Sequence, residues 1–292
     1  DNMSVSFDTT GSKAIKAGIV RQFPAFDYAA NSTDTDTFLI YDEASLRRFA
    51  EKAADFAPYT KAKVMASIDM TGKQWSPVSG FGAYEFDGGN HNIKGLTAPL
   101  FGTVYCSIKG LHLVDVNIEE TKEQFVGALA RHITSNIYTN TEEKLNDATV
   151  VVENCSVSGK VVLNNQSAFV NTSLNDYGEC VAAGLIGRVY GADVNDCVNK
   201  ADVEVKQFFP AGHTTALFPS VGGVAGYVSY CNQGGTGTAV KTISNLNNLV
   251  NYGKITVADN SYTGETNVTK CSPLKPYVGG VVGCAHSDNK EG

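Results

Sequence analysis

Val221-Gly222-Gly223-Val224-Ala225-Gly226 returns further along the chain as Val278-Gly279-Gly280-Val281-Val282-Gly283. A looser copy is Ala182-Ala183-Gly184-Leu185-Ile186-Gly187, and a weaker one is Phe125-Val126-Gly127-Ala128-Leu129-Ala130. A second motif alternates with the first. It reads Asn154-Cys155-Ser156-Val157-Ser158-Gly159-Lys160-Val161, then Asp196-Cys197-Val198-Asn199-Lys200-Ala201-Asp202-Val203, then Asn248-Leu249-Val250-Asn251-Tyr252-Gly253-Lys254-Ile255. Cys155, Cys197 and Leu249 fall on equivalent positions, as do Asn154, Asp196 and Asn248. Self-similarity of this kind marks a repeat architecture.

In both motifs apolar residues alternate with small or polar ones over short runs, which is a strand period. Gly and Asn end each run, where the chain turns and positive φ is common. A single strand-turn-strand unit cannot bury its inner face alone; stacking on the next unit closes the core. The predicted fold is all-β: a right-handed parallel β-helix, or solenoid, with an N-terminal capping helix and long loop inserts. Cys155, Cys197 and Leu249 should form an inward ladder, and Asn154, Asp196 and Asn248 should occupy successive corners. Polar inserts rich in Asn, Thr, Ser and Gly break the spacing at about 133–147, 163–179, 207–220, 229–241 and 258–275. In solenoids such inserts become loops on the surface, where recognition is often carried.

The repeats are preceded by one helical stretch. Leu46, Phe49, Ala50 and Ala53 recur at helical spacing, and Asp42 suits the N-cap. A helix there would cover the first open end of the stack, with Leu46 and Phe49 pointing inward, and so protect exposed strand edges. Lys63 to Met70 reads as a strand, and Phe86 to Leu96 as a strand, a tight Gly88-Gly89-Asn90 turn and a second strand. Residues 1–37 are polar and end in a Ser/Thr/Asp run, so they read as an N-terminal arm or linker, with the repeat domain over 38–292.

The bulk numbers narrow the function. The chain has 292 residues, 42 % of them hydrophobic, enough for a sizeable core. A net charge of −7 without clustered Lys and Arg speaks against nucleic-acid binding. No apolar stretch approaches the length of a membrane-spanning helix. The seven cysteines include no Cys-x-x-Cys pair and no zinc-finger spacing, so several are expected to be small buried hydrophobes.

The order of motifs resembles a family of exported proteins with GLUG-type β-helix repeats, found in gut Bacteroidetes and some Gram-positive bacteria. The residues that carry it are Ala44 to Ala53, then Ile68-Asp69-Met70-Thr71-Gly72, Trp75-Ser76-Pro77-Val78, Phe86-Asp87-Gly88-Gly89-Asn90-His91-Asn92-Ile93 and Leu100-Phe101-Gly102, followed by the alternating motifs. The resemblance spans roughly 38–283. Two departures, the missing double Gly at Phe125 and the long inserts, leave the coil count open. The resemblance implies a surface or adhesin-like module, a secreted or lipoprotein origin and an extracellular or outer-surface location. It brings no catalytic residues.

β-Helices also host polysaccharide lyases and glycosidases, so a carbohydrate-active enzyme is the alternative reading. A glycosidase needs two carboxyl groups flanking the scissile bond. Asp87, Asp115, Glu119 and Glu120 are the candidates, read as a turn Asp and solvated loop charges. Arg131 and His132 read as surface residues, and His91 and His112 as isolated turn or packing residues. Trp75, the one tryptophan, reads as packing rather than as a sugar platform. No catalytic, metal or cofactor residues are assigned. The expected function is a non-enzymatic extracellular binding or adhesion module whose ligand is a glycan or a surface protein; a structural spacer is the remaining alternative. Tyr177, Tyr190, Tyr227, Tyr230 and Tyr262, in or beside the inserts, are the candidates for a recognition surface, because Tyr gives rigid contact area at small entropic cost.

Overall fold

Alternating apolar and small residues bounded by Gly or Asn do form strands, and nearly all of them pair in parallel. The computed structural model describes residues 37–53, 61–80, 85–135, 149–166, 178–208, 217–233, 240–258 and 276–286. Among these the chain is mostly β, with one α-helix and three parallel sheets. The long sheet runs through Thr37–Ile40, Lys61–Val64, Glu85–Lys94, Ser107–Glu120, Ser156–Asn164, Val198–Gln207 and Val250–Asn251. Val151–Glu153, Asp193–Asn195 and Leu246–Asn247 extend it at the side. The second sheet holds Phe125–Val126, Gly178–Ala183, Leu217–Gly222 and Tyr277–Gly279; the third holds Phe101–Val104, Ala130–Thr134, Ile186–Tyr190, Ala225–Ser229 and Val282–His286. From Ser107 onward the chain visits the long, second and third sheets in turn and then begins again.

That order brings like residues over like. Val152 pairs with Val194 and Val194 with Leu246, so the corner residues that follow, Asn154, Asp196 and Asn248, fall in one column. Their φ values are 50°, 53° and 51°, the left-handed region that Asn and Asp tolerate better than other non-glycine residues. Asn90 (φ 57°) and Gly110 (φ 58°) take the same left-handed turn. A side chain on Gly110 would press on Asn90 Oδ1 at 2.9 Å. With no side chain there, Asn154 Nδ2 donates to Asn90 Oδ1 at 3.0 Å, while Asn248 Nδ2 donates to Asp196 Oδ1 at 2.6 Å. Inside the corner, Cys155 and Cys197 are buried and Leu249 packs against the core.

The two motifs meet at a second, buried column. Asn199 is fully buried; its Nδ2 donates to the Ala201 carbonyl at 2.9 Å and to Asn251 Oδ1 at 2.7 Å, and its Oδ1 accepts from the Ala201 amide at 3.0 Å. Asn251 repeats the pattern on Gly253. These amides sit against glycines of the Val-Gly-Gly motif. A Cβ on Gly184 would lie 2.1 Å from Asn199 Oδ1, and one on Gly223 would lie 2.3 Å from Asn251 Cγ and from the Gly280 carbonyl. One repeat earlier the Asn199 position is Val157, its register partner, and the Gly184 position is Ala128, because Val126 pairs with Ala182 and Ala130 with Ile186; the copy read from Phe125 in the sequence is therefore one residue out of step. The small residue is needed where the polar one stands.

The helix Glu43–Lys52 begins with a capping box: Ser45 donates its amide to Asp42 Oδ1 at 2.8 Å, and the Asp42 amide donates to Ser45 Oγ at 2.9 Å. Leu46 and Phe49 are fully buried, as their spacing predicts. Phe49 contacts the rings of Phe38 and Phe86, and Phe86 contacts Phe101, with centroids 5.2 to 6.0 Å apart. Trp75 is buried too, its indole N–H donating to the Leu100 carbonyl at 3.2 Å. The last strands differ. Ile243, Tyr252, Tyr277 and Val278 are exposed, and Leu249, Ile255 and Val282 only partly buried.

Two expectations change in detail. Gly88-Gly89-Asn90 does not close a hairpin: Glu85–Lys94 keeps pairing with parallel neighbours on both sides, and its register slips between Asp87 and His91 where it bends. The inserts are also shorter than expected, because Ile133, Leu163, Gln207 and Ser229 still lie in strands. The insert after Tyr230 contains Cys231–Gln233 paired antiparallel with Val240–Thr242. Residues 1–36 lie outside the described residues.

Gly223→Ala should destabilise the protein by about 1–3 kcal/mol through overpacking against backbone and Asn251. Gly280→Ala, where an added Cβ meets nothing within 4 Å, should stay within about 0.5 kcal/mol of wild type. Asn199→Ala should cost about 1–3 kcal/mol by leaving the buried Ala201 amide without its acceptor. Urea denaturation of the three variants measures all of this.

Candidate recognition surface

The third sheet places its polar and aromatic residues in two columns. His132, Arg188, Tyr227 and Cys284 are register partners in successive strands. Thr134, Tyr190 and Ser229 form the neighbouring column. Inward positions of the same strands, Ile133, Val189 and Val228, are buried and hold the sheet in place. Tyr190 leans diagonally into the first column, a reach that aromatic side chains have across strands. Its ring meets His132 edge-on at 5.1 Å and Tyr227 at 6.1 Å. The Arg188 guanidinium lies over the rings of Phe125 and Tyr190, 4.4 Å from each centroid, and donates to the Tyr190 hydroxyl. Tyr190, Arg188 and His132 are half-buried, and Tyr227 is 9 % exposed, so the patch offers ring edges more than faces.

Burial, and second the Arg188 charge, push the His132 pKa down to about 3. Its Nε2 is buried with no hydrogen-bond partner. His132 therefore stays neutral above acid pH and belongs to the patch, which corrects its reading as a solvated surface residue. Arg131 is also no free surface charge. Its Nη2 lies 2.5 Å from Oε2 of the buried Glu120, whose Oε1 accepts from the amides of Lys122 and Glu123.

The other carboxylates considered from the sequence go to separate structural bonds. Asp87 accepts from the Gly89 amide at 2.9 Å and lies 3.5 Å from Lys63 Nζ. Asp115 is exposed at a positive-φ turn, 3.7 Å from Lys94 Nζ. Glu119 accepts from Asn164 at 2.9 Å and Lys206 at 3.0 Å, and these hydrogen bonds hold its pKa below the ordinary value. His91 is half-buried, and His112 Nδ1 lies 2.9 Å from Ser156 Oγ, its pKa lowered first by burial and then by Lys200. Among the described residues no group of three or more His, Cys, Asp or Glu is placed to hold a metal ion, and no helix is long and apolar enough to cross a membrane.

Of the five tyrosines singled out from the sequence, Tyr190 and Tyr227 come together. Tyr230 is half-buried one residue past the end of Ala225–Ser229. Tyr177 and Tyr262 lie outside the described residues. Arg188 and Phe125 were missed, because their meeting joins strands of different sheets and leaves no mark in spacing. Among the described residues the most exposed tyrosines are Tyr252 at 74 %, inside a repeat motif, and Tyr277 at 49 %, just before Val278-Gly279-Gly280; both were missed because neither lies in an insert.

No family model matches the chain, and no curated protein matches it. Among solved structures it is similar to a protein described as a "putative immunoglobulin A1 protease from Bacteroides ovatus", at 16 % identity and a TM-score of 0.42, over 88 % of this chain and 86 % of that one. At that level the likeness assigns no activity here.

The lowered pKa of His132 has a defined consequence. An unfolded imidazole takes up its proton near pH 6.5, whereas the folded one does so near 3. Between these values the unfolded state binds more protons, so the contribution of His132 is full above about pH 6.5 and is lost as pH falls toward 3. His132→Asn should flatten the fall in denaturation midpoint across that window, measured by urea melts at successive pH values. An unchanged slope would mean that His132 titrates normally.

Proposed function

We propose that this chain is a non-enzymatic extracellular binding or adhesion module, built as a right-handed parallel β-helix with an N-terminal capping helix. The cyclic visiting of three parallel sheets supports the β-helix reading, and the capping-box helix over the first end supports the cap. The observation that carries the functional reading is the joined patch of Tyr190, Tyr227, Arg188, His132 and Phe125 on the third sheet, next to strand ends from which inserts leave at Ser135 and Tyr230. Aromatic edges with a guanidinium suit a glycan or a protein surface: rings supply apolar contact, and the cation supplies directional donors. The four carboxylates weighed for hydrolysis are each held by a separate amide or cation, an arrangement that favours binding over acid–base chemistry. The resemblance to GLUG-type surface proteins points the same way, to the outer surface of a Bacteroides-like cell.

Binding to arrayed host and plant glycans and to immobilised surface proteins tests the reading. A ligand found this way should lose about tenfold affinity with Tyr190→Ala, a cost of about 1.4 kcal/mol. Release of reducing ends or unsaturated sugars from any polysaccharide would overturn it in favour of a carbohydrate-active enzyme. No binding on either panel would favour a structural spacer.

A further inference from the structure

Cys155 and Cys197 stand at the same place in successive repeats, each one residue after a positive-φ corner. Val198 donates its amide to the Cys155 carbonyl at 2.9 Å, and the flanking residues pair in parallel register, Glu153 with Asn195 and Ser156 with Val198. Adjacent strands lie about 4.8 Å apart, inside the range of about 4.4–6.8 Å that disulfide Cα pairs occupy. Both thiols lean toward the preceding repeat, so Cys197 faces the Cys155 layer and closure requires Cys155 to turn about χ1 toward Cys197. Cys155 Sγ lies 3.3 Å from the Glu153 carbonyl and 3.9 Å from that of Ile108; Cys197 Sγ lies 3.1 Å from the Asn195 carbonyl and 3.9 Å from that of Val152. Both thiols are free and buried. The next position in the column is Leu249, which has no thiol, so the pair is isolated from the third repeat.

We propose that Cys155 and Cys197 close a disulfide that clamps these two repeats together. A soluble disulfide, such as oxidised glutathione, is the oxidant. One thiolate attacks it and releases one thiol; the second cysteine then displaces the other, so two protein thiols are oxidised while the glutathione disulfide is reduced to two thiols. The Cys197 thiol first, and burial second, raise the Cys155 pKa, so attack from the folded state is slow and closure accompanies folding. Closure in the cell rests on the extracellular reading above, since a reducing cytosol holds such thiols open. The chemistry itself does not.

The test is oxidative refolding. Reduced protein is refolded with oxidised glutathione at about pH 8, quenched with an alkylating agent, digested and mapped by mass spectrometry without reduction. The expected result is a linked peptide pair carrying Cys155 and Cys197, absent from Cys197→Ala, and a Tm about 5–10 °C above that of the same sample after reduction. Full alkylation of both residues after refolding overturns the proposal. So does a link from either one to Cys231 or Cys271. The wild-type map decides by itself if the variant does not fold, and neither outcome bears on whether the Tyr190 patch binds a ligand.

Discussion

The structure depends on parallel pairing that sets each residue over its equivalent in the repeat before. A parallel sheet leaves no freedom to offset one strand by a residue without turning its apolar side chains outward. Register is therefore held by the inner residues, Val152 over Val194 over Leu246, and everything else follows from it. The corners align, so their Asn and Asp side chains can bond one another. The buried amides align, so Asn199 can reach Asn251. The glycines align, so the second sheet can turn into the third with those amides behind it.

The same constraint shapes the outer faces. Register sets charges opposite charges, Asp87 beside Lys109 and Lys160 beside Asp202, and the ion pairs close diagonally, Lys109 with Glu85 at 2.9 Å and Lys160 with Glu204 at 2.6 Å. Such exposed pairs contribute little each, but they keep like charges from facing one another up a column. On the third sheet the columns carry aromatic and cationic groups instead. Phe125 reaches that patch from the second sheet, so the proposed recognition surface exists only where the two sheets come close. The helix shows the alternative use of aromatics: Phe38, Phe49, Phe86 and Phe101 form a buried row that packs it against the first strands.

Much of this was legible in the residues. The Asn-Cys and Val-Gly-Gly motifs carried the strands and the corners. The helix was legible because Asp42, Leu46 and Phe49 are a local pattern, and local patterns survive without tertiary context. Trp75 was read as packing, and it packs. His132 was misjudged, because its burial comes from Tyr190 and Arg188 on the next strand of the sheet, far along the chain. The Gly88-Gly89-Asn90 turn suggested a hairpin, yet its two arms pair with other strands. A turn signal states that the chain bends, not what the arms then meet.

The sequence by itself determined the strand-rich character, the one α-helix, the repeating corners and the inward Cys155, Cys197 and Leu249 column. These follow from period, turn chemistry and self-similarity, all written within a few residues of one another. Only the tertiary structure decided which carboxylates are held in structural bonds, which tyrosines join Arg188, and that Gly184 and Gly223 make room for Asn199 and Asn251. Those facts belong to pairs of residues from different turns of the chain. Their meeting is set by the register of strands rather than by separation in sequence, and no single motif contains it.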